Sequence, residues 1–151
     1  MKCSLIACLV FLGIASLSSA TAADNCTGYD NLVSTYFEER DLGQGMKLQT
    51  FAQESILTSD HAAYHLATGQ CSGSALMTPD GKVRAMGYCA RRDKDGDTQS
   101  IDWHLAPGAE KGSWRSTGGT GKFAGRTDSG WFQDVRSDGK MAVAEWGGTC
   151  K

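Results

Sequence analysis

Three tripeptides, Pro79-Asp80-Gly81, Lys94-Asp95-Gly96 and Ser137-Asp138-Gly139, constrain this chain more than any other feature. Each has the chemistry of a three-residue hairpin loop, a type I turn closed by a glycine in the left-handed region as a bulge. A loop of defined length sets the register of the strands it joins. In the first hairpin it opposes Thr78 to Lys82, and stepping outward along both arms brings Cys71 opposite Cys89. Turn type and cysteine position are independent signals, and they agree on one cross-strand pairing.

The same counting sorts the faces, because side chains alternate along a strand. In the second hairpin Gly87 opposes Trp103, Ala85 opposes Leu105 and Cys89 opposes Ile101; with Val83, Ala75 and Met77 these form one apolar face. The other face carries Arg84, Met86, Tyr88, Asp102 and His104 and is the wetter side. Trp103 over Gly87 fills the space a strand glycine leaves, and an inner face of alternating small and large residues suits a small tapered barrel. In the third hairpin the loop opposes Trp131 to Glu145, Gln133 to Val143 and Phe132 to Ala144; both faces hold apolar residues, so the interior is not assigned there. Upstream, Met46 to Leu57 reads as a strand with Leu48, Thr50, Ala52, Glu54 and Ile56 on one side, and Ser113 to Thr117 as a short one. Ser59 to Leu66 reads as one helical turn capped by Ser59 or Asp60. The sum is an all-β chain, a single antiparallel barrel of about eight strands built as a meander of hairpins, since closure removes aggregation-prone edges.

The first residues read as a leader rather than as part of that barrel. Lys2 supplies a positive start, Leu5 to Leu17 is apolar and uncharged, and Ala20 and Ala22 give a small-residue cleavage pattern. Residues 1–22 are therefore expected to be a signal peptide and residues 23–151 the barrel domain, secreted or periplasmic. Leu5-Ile6-Ala7-Cys8 looks like a lipobox, but seven preceding residues are too few for the two regions a leader needs. No later run of 18 apolar residues exists, so no membrane span is expected after cleavage. A net charge of −2 offers no basic field to a phosphate backbone, which argues against a nucleic-acid partner. Cleavage leaves Cys26, Cys71, Cys89 and Cys150, four cysteines that allow three connectivities in an oxidising compartment. The hairpin register selects Cys71–Cys89 and leaves Cys26–Cys150 to tie the two ends. Paired C-x-x-C spacing, which zinc would prefer, is absent.

Motifs that could carry chemistry fail in detail. Gly118-Gly119-Thr120-Gly121-Lys122-Phe123-Ala124-Gly125 invites a phosphate-loop reading, but Ser116 stands where its first glycine should be and Phe123 where its hydroxyl should be. Asp93, Asp95 and Asp97 alternate like calcium ligands, yet Thr98 and His104 replace the glycine and glutamate an EF-hand loop needs. His61 and His65 lie one helical turn apart with no clear third ligand. No G-x-S-x-G elbow is present. Asn25-Cys26-Thr27 fits the glycosylation pattern and bears only on a eukaryotic source. No cofactor is implied. Glu54, Gln133 and Glu145 each sit among apolar neighbours; if they point inward, a desolvated carboxylate could act as ligand or general base.

The glycine cluster, followed by Ser129-Gly130, resembles the G-G-T-G-x-F segment of dirigent proteins and its counterpart in allene oxide cyclases. It is closer still to small secreted bacterial proteins of the same barrel type, in which D-x-D-G-D and a Trp precede the glycine loop; here those are Asp93 to Asp97 and Trp103 or Trp114. The resemblance covers roughly residues 70–147. It implies a calycin-like eight-stranded barrel, often trimeric in the plant members, which leaves a homo-oligomer open here. Those members act on small hydrophobic molecules by cyclisation or by steering radical coupling, and none of their functional residues aligns onto this chain. The expectation is a barrel that binds a small apolar molecule, with Trp103, Trp131, Phe132 and Trp146 as walls and Glu54, Gln133 and Glu145 as polar contacts. The alternatives are an isomerase or cyclase of allene oxide cyclase type, and a solid-core protein-interaction module.

Overall fold

The computed structural model describes residues 24–150; the expected leader lies outside them. Eight strands follow one another in chain order and close on themselves: β1 (Asp24–Gly43), β2 (Met46–Ser59), β3 (Thr68–Met77), β4 (Val83–Arg92), β5 (Thr98–Leu105), β6 (Gly112–Gly119), β7 (Ser129–Ser137) and β8 (Met141–Cys150). Every neighbour pair is antiparallel, and β1 pairs with both β2 and β8. The barrel is thus an up-and-down meander whose first and last strands meet in one seam.

The first two hairpins keep the register the turns dictate, including Cys71 opposite Cys89 and Gly87 opposite Trp103. Both disulfides form as expected, Cys26–Cys150 and Cys71–Cys89. The third hairpin differs: Trp131 pairs with Gly147, Phe132 with Trp146 and Gln133 with Glu145, two positions from the expected partners. Its physical cause is twofold. The Asp138 carboxylate accepts from the backbone N–H of Lys140 and of Met141 and the loop lengthens, so that Arg136 pairs with Val143, and a bulge between Asp134 and Arg136 then takes back one position. Ser59 to Leu66 is a string of turns with one i→i+4 bond, His65 N–H to His61 O, rather than a regular helix.

The alternation of β4 is strict from Arg84 to Arg92, each inward residue buried and each outward one exposed. The inner positions define two very different halves. Around the chain ends, Leu57, Tyr64, Phe123, Trp114, Trp146 and the Cys26–Cys150 bridge pack into a solid floor. Tyr64 meets Phe123 and Trp146 at 5.6 and 5.5 Å between ring centres, and Trp114 stands edge-on to Trp146 at 6.1 Å. Under the rings, the Tyr64 hydroxyl donates to Asp128, Gln99 Nε2 donates to both, and Arg126 pairs with Asp128 at 2.8 Å. Burial, then the hydrogen bond to Asp128, pushes the Tyr64 hydroxyl far above its usual value.

A second latch closes the same end. Lys122 of the glycine cluster is gripped by Asp93, by Asp95 at 2.6 Å, and from 3.9 Å by Asp97. The Asp97 carboxylate also accepts the Lys122 backbone N–H at 3.0 Å, and a Cβ on Gly121 would fall 1.9 Å from Asp97 Oδ1. The three aspartates that look like calcium ligands thus serve a lysine of the same chain, and Lys122 draws the Asp95 carboxyl down to about 2.

Candidate functional site

Above that floor the inward residues become small: Ala75 on β3, Ala85 on β4, Ala142 and Ala144 on β8. Such side chains cannot meet across the barrel, and a cavity of about 530 Å³ remains, open at the end that carries the β1–β2, β3–β4, β5–β6 and β7–β8 turns. An eight-stranded barrel has room for one small ligand only when its inner residues are kept this small. The expectation of a solid core is therefore corrected for this half of the barrel, which is hollow.

Aromatic rings line the wall. Trp103 stacks on Phe51 at 6.0 Å and an interplanar angle of 22°, and meets Phe132 edge-on at 5.8 Å. Its ring lies against backbone on a glycine shelf, because a Cβ on Gly73 or Gly87 would come within 2.6 or 2.5 Å of Trp103 Cζ2. Phe132 lies over Gly112 in the same manner. The chain uses glycine here so that large flat rings can hug the wall and leave the centre open.

Polar groups are few and placed at two levels. On the floor, Arg91 Nη2 and Asp30 Oδ2 form an ion pair at 3.1 Å, each side chain 8% exposed, with the guanidinium 6.0 Å from the Trp146 ring centre. Higher up, Asp134 of β7 faces the cavity. Its surface opens onto the lumen, yet the surrounding protein strips away enough water to raise its carboxyl above the ordinary value. Gln49 and Gln53 of β2 complete the polar lining.

The structure separates the residues singled out from sequence. Trp103, Phe132 and Trp146 line the cavity. Glu54, Trp131, Gln133 and Glu145 occupy the alternate positions of their strands, on the outer surface. Trp131 lies over Gly147 outside the barrel and carries Lys111 Nζ 3.6 Å from its ring centre. Glu145 borders a shallow outer depression with Asp60 and His65. The inward carboxylates are instead Asp30 and Asp134. Sequence reasoning missed them and Arg91, although Arg91 stands two residues beyond Cys89 on a face already assigned inward. Among the described residues no group of three or more His, Cys, Asp or Glu side chains could hold a metal ion; His61 lies beside Tyr64 and His65 Nδ1 faces the Ser59 N–H.

No protein-family model matches the chain. No curated protein matches it. Among solved structures, the pterocarpan synthase dirigent protein GePTS1 superimposes on 97% of this chain and 97% of its own, with a TM-score of 0.53 and 14% identity. At that identity the likeness concerns the fold: the chain has a dirigent-like eight-stranded barrel.

Proposed function

We propose that this protein binds a small, mostly apolar molecule inside the barrel, in an oxidising compartment outside the cytosol. The observation that carries the reading is the open cavity of about 530 Å³ walled by Phe51, Trp103 and Phe132, of a size typical of small-molecule sites. Two disulfides support the compartment. The small inward residues support carriage over mere architecture, because a chain selected only for stability gains by filling its interior. The test is titration with N-phenylnaphthylamine, a neutral dye that brightens in apolar surroundings. The native protein should bind one equivalent saturably, and Ala85→Phe, which fills the lumen beside Trp103, should lose at least about tenfold in affinity. Equal binding by both proteins would place the dye elsewhere and end the reading.

A second reading, an isomerase or cyclase, draws on Asp134. A carboxyl that burial makes hold its proton more tightly, facing the same cavity as Phe132, can hand a proton to a bound molecule and take it back. Under this reading Asp134→Asn abolishes turnover of a bound substrate while leaving dye affinity unchanged.

A further inference from the structure

Four polar atoms of residues that line the lumen floor have no hydrogen-bond partner, and each is fully enclosed, so that a ligand reaches it only when its side chain shifts: Asp30 Oδ1, Arg91 Nε, Trp114 Nε1 and Trp146 Nε1. All four residues line the cavity, and each is more than nine-tenths buried. Asp30 and Arg91 satisfy each other through only one oxygen and one nitrogen. Unpaired polar atoms in a low-dielectric setting are costly, so a floor carrying four of them is suited to a ligand that answers them.

Their chemistry selects the ligand's end group. The set offers three N–H donors and one carboxylate acceptor. A hydroxyl can donate to Asp30 Oδ1 while accepting from one of the N–H groups. A carboxylate can only accept, and it would meet the Asp30 charge. An ammonium can only donate, and it would meet the Arg91 charge. Hydrocarbon answers none of them. The Asp30–Arg91 pair is neutral overall, so the floor favours a neutral group that both donates and accepts.

Building on the lumen-binding reading, we propose that the floor is a hydroxyl subsite. The ligand is an apolar molecule tipped by a neutral hydroxyl, inserted with that hydroxyl against Asp30 and Arg91. Its hydrocarbon lies between Phe51, Trp103 and Phe132, and its far end points to the mouth.

The experiment is displacement of N-phenylnaphthylamine from the native protein by decanol, by its isomer nonyl methyl ether, and by decanoate at neutral pH. Decanol and the ether have the same atoms and differ in the donor, so their ratio reports the hydroxyl. Decanol should displace the dye at a concentration at least about tenfold lower than the ether and lower than decanoate, the usual effect of one buried hydrogen bond. The double variant Asp30→Leu with Arg91→Met, a swap of a buried pair for apolar groups that folds tolerate, should bring decanol and ether to equal potency. Asp30→Asn, nearly isosteric, should shrink the preference without emptying the lumen. Equal potency of decanol and ether on the native protein overturns the hydroxyl subsite and leaves the lumen reading standing. Tighter displacement by decanoate overturns it in favour of an anion site on Arg91. Failure of the dye to bind at all refutes the lumen reading and, with it, the subsite.

Discussion

The floor and the mouth of this barrel are made from the same eight strands and obey different rules. Toward the chain ends the inner positions hold Leu57, Tyr64, Phe123 and Trp146, all 2% exposed or less. That end is closed further by the Cys26–Cys150 bridge, the Tyr64–Asp128 network and the grip of three aspartates on Lys122. Toward the hairpin turns the inner positions hold Ala75, Ala85, Ala142 and Ala144, and glycine shelves keep the rings against the wall. Stability is concentrated at one end, which frees the other to remain hollow. A domain this small could not leave its centre open without such a concentration of packing and cross-links.

The largest effect that can break this comparison comes from the disulfides. Cys26–Cys150 spans 124 residues of sequence and Cys71–Cys89 only 18. Loop-closure entropy gives roughly 4–5 kcal/mol for the first and about 3 kcal/mol for the second. Denaturant titration of Cys26→Ala with Cys150→Ala, against Cys71→Ala with Cys89→Ala, should therefore find the first pair the more damaging; the reverse order would deny the floor its role. A smaller contrast pits packing against packing. Leu57→Ala at the floor should cost about 2–5 kcal/mol, the usual range for a buried leucine. Ala85→Leu in the lumen should change stability by less than about 1.5 kcal/mol, because the added methyl groups enter open space. A large loss from Ala85→Leu would mean that the upper half is packed after all.

The smallest effect is one of pH. Burial raises the Asp134 carboxyl, so the folded state holds its proton more tightly than the unfolded state does. Any stability this group contributes is whole below the ordinary carboxylate range and is lost as pH rises through the raised folded value. Asp134→Asn should thus raise Tm near neutral pH by a modest amount and leave it unchanged in acid, where both side chains are neutral. An Asn variant that melts lower at neutral pH would show that Asp134 is held by partners rather than burdened by burial.

How much of this was legible beforehand follows from where the local rules were sufficient. Pro79-Asp80-Gly81 and Lys94-Asp95-Gly96 each define a loop of one length, so β3 to β5, the Cys71–Cys89 bridge and the seat of Trp103 on Gly87 could be counted out by hand. Ser137-Asp138-Gly139 carries the same tripeptide chemistry, but the reach of Asp138 to Met141 N–H and the bulge at residue 135 moved the partner of Arg136 by three and those of Trp131 to Asp134 by two. The β1–β2 hairpin turns on Gly43-Gln44-Gly45, all three at positive φ, with no Asp-Gly to announce it. The carboxylates were misplaced for a related reason. Alternation says that Gln133 and Asp134 face opposite ways, but both faces of β7 hold apolar residues, so pattern alone left the direction open. Only closure of the sheet, a property of all eight strands together, decides which side is the lumen.

Whether the upper half of the barrel is a ligand chamber can be read from a crystal structure of the protein grown with N-phenylnaphthylamine. The lumen should be open, with the dye between Phe51, Trp103 and Phe132, above the Asp30–Arg91 pair. Collapsed walls that leave no room, or dye seated only on the outer surface, would contradict a ligand chamber.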